Sequence, residues 1–318
     1  MNTLLLIDGN ALMHRAYHAL PPFKTKSGIP TNALYGFLSI LNKAIQDFKP
    51  FYVIVSFDTP VPTFRKKMFK EYQSQRPKME NELSQQFSTV KEALDAGRIV
   101  HLEKEGYEAD DVIGTISRKF HTNGDRVLIL SGDRDILQLV NDKVFVVTPQ
   151  LGFSKQVIYS VEEVVNRFGI KPEKIPDFKA LMGDQSDNYK GAKGIGPKTA
   201  AKLLQEYGSV ENIFKNLKTI DGKIKKMLED HKEAVLMSHK LATILTDVDI
   251  KVDMQKTEFH GFNENLKEFL KKYEIYSLMN RMFNKKSLSV KASPSAKTTR
   301  DKTVDKEKKT DQNQMGLF

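Results

Sequence analysis

The stretch Thr3-Leu-Leu-Leu-Ile-Asp8-Gly-Asn10 decides the fold: a short aliphatic run met at once by a carboxylate. A run this short reads as a buried strand rather than a helix. With no cationic residue ahead of it, it is not a secretion signal. The pattern recurs. Residues 51–57 run into Asp58, and 127–131 run into Gly132 and Asp133. Between these runs lie helical periodicities: Asn32–Phe48 sets Phe37, Leu41, Ala44 and Phe48 on one face, and 80–97 sets Leu83, Phe87, Val90 and Leu94. Strands alternating with helices predict an α/β fold with a mostly parallel central sheet flanked by helices. Ligands of such sheets sit beyond the carboxyl ends of the strands, so acids placed there point at one crevice.

At 318 residues the chain is expected to form one large domain or two. The texture divides it into an α/β part over 1–160, a helical part with Gly- and Pro-containing turns over 161–285, and a Lys-, Ser- and Thr-rich tail over 286–318 that is expected to be disordered. Ser160-x-x-Glu163 is a capping box opening a helix. No apolar run reaches the roughly 18 residues of a membrane span. The absence of cysteine excludes disulfides and thiolate metal sites and fits a reducing cytoplasm. The formal charge is +10, and the nine Lys/Arg against four Asp/Glu from Lys285 onward supply +5 of it. A basic body around an acidic hole suits a polyanion reached through metal ions; ordinary lysine-rich solubility is the plainer explanation.

Nine carboxylates stand out: Asp8, Asp58, Glu108, Asp110, Asp111, Asp133, Asp135, Asp184 and Asp187. Glu108, Asp110 and Asp111 open a helix, where the dipole alone favours acids. Gathered at one sheet edge, all nine would repel strongly without cations. Oxygen-only donors select a hard ion, Mg²⁺ or Mn²⁺, and two such ions can activate water and stabilise a leaving oxygen in phosphodiester hydrolysis.

LLLIDGNALMHRAYHAL, GIPTNALYGF, FDTPVPTFR, YEADDVIGT, ILSGDRDILQLV and LMGDQSDNYKGAKGIGPKTAAKLL closely resemble, in order, the 5′ nuclease domain of bacterial DNA polymerase I, which belongs with the flap endonucleases. The resemblance covers about residues 1–285. It implies a PIN-like 5′ nuclease core over 1–160 with a helical arch at about 64–95, and a helix–hairpin–helix DNA-binding motif at about 185–206. It implies a structure-selective, metal-dependent 5′→3′ exonuclease and flap endonuclease of primer removal or repair, acting on DNA as a monomer without membrane association. By the same resemblance Asp8, Asp58, Glu108 and Asp110 hold one metal and Asp133, Asp135 and Asp187 a second, with Asp110 bridging and Asp111 and Asp184 assisting. Arg15 faces the scissile phosphate. In the hairpin, Lys193, Gly194, Gly196, Lys198 and Thr199 grip duplex DNA without reading sequence, around a K⁺ ion. Two other classes share parts of this pattern: a junction-binding scaffold that cuts poorly, and a PIN-type ribonuclease.

Thr31, just before an apolar helix, is an N-cap or a phosphate contact. Residues 64–83 interleave basic and aromatic groups, as suits single-stranded nucleic acid. There Tyr72 and Arg76 match the arch pattern, but the family lysine next to the tyrosine is Gln73. Glutamine carries no charge, so slower chemistry is expected; Lys70, one helical turn earlier, is the candidate to replace it. The terminal Gln314-Met-Gly-Leu317-Phe318 resembles the bacterial sliding-clamp-binding peptide, with Gln314 making polar contacts and Leu317 and Phe318 filling an apolar pocket. Its linker could reach about 30 Å or more. This ending leads us to expect a complete stand-alone nuclease.

Overall fold

The structure is a computed structural model that describes residues 2–121, 125–149 and 156–283. The aliphatic runs of the sequence are strands. Along the first half of the chain come β1 (Thr3–Asp8), α1 (Gly9–Ala19), α2 (Asn32–Phe48), β2 (Tyr52–Ser56), α3 (Phe64–Met68), α4 (Asn81–Ala96), β3 (Val100–Leu102), α5 (Ala109–His121), β4 (Arg126–Leu130), β5 (Val144–Pro149) and β6 (Gln156–Tyr159). The sheet order is β3-β2-β1-β4-β5-β6. Every pairing is parallel except β5 with β6. The chain works outward from β1 in both directions, so the switch point lies between β1 and β4, where Ile7 pairs with Leu130. A crevice opens beyond the strand ends at such a point.

Alternation along each strand feeds two cores. Leu4, Leu6, Ile54, Val127 and Ile129 face one; Leu5, Ile7, Val53, Val55, Leu128 and Leu130 face the other.

The second half is helical: α6 (Val161–Phe168), α7 (Ile175–Met182), a ribbon of β7 (Gly183–Asp184) and β8 (Tyr189–Lys190), then α8 (Pro197–Tyr207), α9 (Val210–Lys215), α10 (Gly222–Asp230), α11 (Lys232–Ala242), α12 (Glu264–Lys272) and α13 (Tyr276–Phe283). The expected capping box opens α6, where the Glu163 carboxylate accepts from the Ser160 amide at 3.0 Å. Ile175, Phe178 and Leu181 of α7 join the first core. Leu266, Leu270 and Leu278 of α12 and α13 return to the second core, against Phe37, Val90 and Leu94 of α2 and α4. The helical half is therefore shared between the two faces of the sheet. At the ribbon the backbone passes so close to itself that a Cβ on Gly191 would lie 2.3 Å from the Gly183 nitrogen, which only glycine permits. Among the described residues no helix is long and apolar enough to cross a membrane.

One local expectation is corrected here. Thr31 precedes α2, but its side chain caps nothing. It is 4% exposed, with its hydroxyl facing the Phe23 carbonyl at 3.4 Å. The free amides of Ala33 and Leu34 are instead met by the Gln86 carboxamide oxygen of α4, at 2.8 and 3.2 Å. A buried Thr31 offers no surface to a phosphate.

Candidate active site

A cavity of about 530 Å³ opens at the switch point. Seven of the nine carboxylates line it: Asp8, Asp58, Glu108, Asp110, Asp133, Asp135 and Asp187. Local structure fixes each. Asp8 ends β1 and caps α1, accepting from the Ala11 amide at 2.9 Å and the Ser131 hydroxyl at 2.7 Å. Asp58 follows β2 and accepts from the Ala109 amide at 2.7 Å, which makes it the cap of α5. Asp133 sits in the turn after β4, its amide on the Ser131 hydroxyl at 2.9 Å. Asp187, 7% exposed, accepts from Arg76 at 2.5 Å and from the Tyr72 hydroxyl at 3.3 Å.

Burial and mutual repulsion suppress the acidity of five of these carboxylates. Burial pushes Asp8, Glu108 and Asp135 up to about 7, against the pull of hydrogen bonds on Asp8, of Arg65 on Glu108 and of Lys179 on Asp135. Asp110 is raised well above the carboxylate range by burial and by Asp133, Asp8, Glu108 and Asp58. Asp58 is raised for the same leading reason.

The two remaining acids have other partners. Asp111 is fully buried and bidentate to Arg65, at 2.7 and 2.8 Å, and it accepts from the Leu245 and Glu108 amides at 2.9 and 3.0 Å. Its acceptor sites are filled, so the expected assisting role at a metal gives way to a structural one. Asp184 pairs with Lys179 and accepts from the Ser186 amide at 2.7 Å. Burial works to raise it, but Lys179 and Ser186 outweigh that and hold it below the usual range. With Asp135 and Asp187 it forms a group whose oxygens lie within 4.8 Å of one another.

The basic segment 64–80 lies over the cavity, though not in the expected arrangement. Lys70 is exposed and does not reach the cavity wall; Lys66 does, its ammonium donating to the Tyr72 carbonyl at 2.6 Å next to Gln73. The helical phase assumed from sequence fails because α3 ends at Met68. Tyr72 is 3% exposed, its hydroxyl shared between Glu108 and Asp187 at 3.3 Å each, so its ring is no stacking platform. Gln73 and Arg76 line the cavity, and Gln73 takes a positive φ of 55° with its amide on the Asp187 carbonyl. Arg15 lies outside the lining, its guanidinium beside Gly132.

In the hairpin, Lys193, Gly194, Gly196 and Lys198 are exposed and Thr199 half-buried. Gly194 has a φ of 95°. Pro197 opens α8 without a side-chain cap, which leaves its first amides to an outside acceptor. Gln314, Leu317 and Phe318 lie outside the described residues.

Sequence reasoning missed Arg65, Lys66 and Lys179. Lys179 had a signal, a lysine set between the buried Phe178 and the buried Ala180 and Leu181 of α7. Arg65 had none, because a buried arginine inside a basic run looks like a surface residue.

Two outcomes follow. Arg65→Met strands the buried Asp111 charge and is expected to lower stability by about 3–5 kcal/mol in urea unfolding. The second concerns pH without metal. Asp8, Glu108 and Asp135 titrate near 7 when folded against about 4 when unfolded. The stability they contribute is complete below pH 4 and lost as pH rises through 7. The melting temperature of the metal-free protein should fall across that window, and Asp8→Asn with Asp135→Asn should flatten the slope.

Comparison with known proteins agrees with this architecture. The 5′-3′ exonuclease N-terminal resolvase-like domain matches residues 3–169, and the 5′-3′ exonuclease C-terminal SAM fold matches 170–265. The chain is 41% identical over 283 residues to a 5′-3′ exonuclease of Aquifex aeolicus (strain VF5), covering 89% of this chain and 96% of that one. It is 43% identical over 281 residues to DNA polymerase I of Bacillus subtilis (strain 168), covering 88% of this chain but only 32% of the polymerase. In fold it is similar to the T5 D15 protein co-crystallized with metal ions (TM-score 0.64, 23% identity, 87% of this chain and 99% of that one). It is likewise similar to the catalytic core of Rad2 in complex with DNA substrate (TM-score 0.57, 16% identity, 88% and 91%). Matched along both halves, and over nearly the whole length of the Aquifex protein, the chain belongs to the 5′-3′ exonuclease family.

Proposed function

We propose that this protein hydrolyses DNA phosphodiester bonds as a structure-selective 5′→3′ exonuclease and 5′-flap endonuclease, in primer removal or repair, as a cytoplasmic monomer that uses Mg²⁺ or Mn²⁺. The observation that carries the reading is the gathering of seven carboxylates around one cavity, crowded enough that three titrate near 7. Near neutral pH those three are fully ionised only beside cations. All its donors are oxygens, which fits a hard divalent ion. Asp8, Asp58, Glu108 and Asp110 would hold one ion; Asp133, Asp135 and Asp187, assisted by Asp184, would hold another. Bound there, such ions would supply the Lewis acidity that activates water and stabilises a leaving oxygen.

The chain's own groups do the rest. Of the lysine and arginine side chains on the cavity wall, Lys66 is the one for which no ion pair with a carboxylate is seen among the described residues, so its charge is free to offset a phosphate. Arg76 offers a second cation, held ready by Asp187, and Arg15 a third at the edge. Gln73 contributes a neutral donor. Lys193, Gly194, Gly196, Lys198, Thr199 and the start of α8 would hold the duplex by its phosphates, with K⁺ at the turn. The T5 D15 flap endonuclease has been crystallised with DNA and metal ions, and Rad2 with DNA substrate, which supports the reading.

The test is cleavage of a 5′-labelled flap duplex. We expect cuts at the junction in Mg²⁺, none in EDTA and none with Asp133→Asn. Binding without cleavage in either metal would instead make the protein a junction-binding scaffold. In the same assay Lys66→Ala should slow cleavage roughly tenfold or more, below the ~10²–10³ of a full oxyanion donor, while Lys70→Ala changes it little. We further propose that Gln314, Leu317 and Phe318 dock on the bacterial sliding clamp. Deleting residues 314–318 should abolish retention on immobilised clamp and leave flap cleavage intact.

A further inference from the structure

The two halves of the acidic cavity are not neutralised alike. Among the described residues, Asp8 and Asp58 form no ion pair and are held by amides and a hydroxyl, and Glu108 meets only the buried guanidinium of Arg65, which it shares with Asp111. Asp135, Asp184 and Asp187 already carry cations of the protein: Lys179 pairs with the first two and Arg76 with the third. The Lys179 side chain is 19% exposed and therefore occupies the place rather than visiting it from solvent. It sits on oxygens of a group of acids, Asp135, Asp184 and Asp187, that lie within 4.8 Å of one another.

A second, independent observation lies across the ribbon. Tyr189 pairs in register with Asp184. It is 4% exposed, and its hydroxyl has no hydrogen-bond partner. A buried hydroxyl left unpaired costs free energy and needs a reason. Lys179, Asp135, Asp184 and Asp187 are the charges acting on it, and its acidity is suppressed by burial. An acceptor oxygen without a donor thus lies within electrostatic reach of the Lys179 ammonium.

We infer that Lys179 is a built-in counter-ion of this half of the site, and that a divalent ion reaches Asp135 and Asp184 only by displacing the ammonium towards the Tyr189 hydroxyl. Lys179 is thus a positioning residue. It keeps the acids together without metal, makes the two metal positions unequal in affinity, and sets the metal concentration at which the second fills. This rests on the reading of the cavity as a two-metal site.

The experiment is Mn²⁺ binding to the full chain at pH 8, followed by electron paramagnetic resonance of free Mn²⁺ and by calorimetry. The wild type should show one tighter and one weaker class. Lys179→Gln removes the charge and keeps a donor; it should tighten the weaker class by about tenfold, a modest share of what one charge at contact distance is worth, and lower the melting temperature without metal. Lys179→Arg should stay near wild type. Tyr189→Phe, which removes the acceptor, should loosen the weaker class a few-fold. A Lys179→Gln protein that melts lower yet binds Mn²⁺ as the wild type does would show a merely structural lysine and overturn the inference while leaving the two-metal reading in place. A wild type that binds no Mn²⁺ would remove the two-metal reading and the inference with it. Should Lys179→Gln not fold, unchanged Mn²⁺ binding in Tyr189→Phe overturns the inference alone.

Discussion

Arg65 is the interaction on which the site depends. A guanidinium has five N–H donors in a rigid fork, and here four make hydrogen bonds inside the protein while the charge also pairs with a further carboxylate. They meet Asp111 twice, Glu108 at 3.2 Å, and the carbonyls of Leu241 and Thr243 at 2.8 and 2.7 Å. These partners belong to the start of α5 and the end of α11, while Arg65 itself belongs to α3. Three segments far apart in sequence are thereby fixed on one buried charge. A desolvated ion pair adds little net stability against a hydrophobic equivalent, but it specifies position. Through it the segment 64–80 is set over the carboxylates with Lys66, Gln73 and Arg76 on the cavity wall.

The carboxylates can crowd because the backbone is arranged first. Asp8 and Asp58 are helix caps as well as members of the cavity. Their placement follows from where β1 and β2 end, and the sheet register, with Asp8 beside Ser56, brings those ends level. Electrostatic repulsion is accepted at the one edge of the sheet where a polyanion and its cations would relieve it.

Much of this is legible from residues. Aliphatic runs ending in acids predict the parallel strands and the shared crevice, and Ser160 with Glu163 predicts the start of α6. What escapes has physical causes. Helical phase cannot be carried past the end of a five-residue helix, so Lys70 takes the place that Lys66 holds. An N-cap is assigned to Thr31 because nothing local reveals that Gln86, from another helix, meets the same amides. Asp111 is indistinguishable from Glu108 and Asp110 until Arg65 is seen to bind it. Burial of a charge depends on a partner elsewhere in the chain, and sequence order hides such partners.

The return of α12 and α13 to the face built by α2 and α4 bears on how the chain is made. Leu5, Ile7 and Phe37 emerge from the ribosome early, yet Leu266, Leu270 and Leu278, which complete their core, emerge far later. At roughly 5–20 residues per second the interval is on the order of ten seconds or more. Through that time the apolar side of α2 and α4 that receives α13 and α12 stays uncovered, and closing it needs contacts between distant parts of the chain. The core of the first half is therefore completed only by residues of the second. Until those residues are made, the nascent chain carries exposed apolar surface of the kind that promotes aggregation.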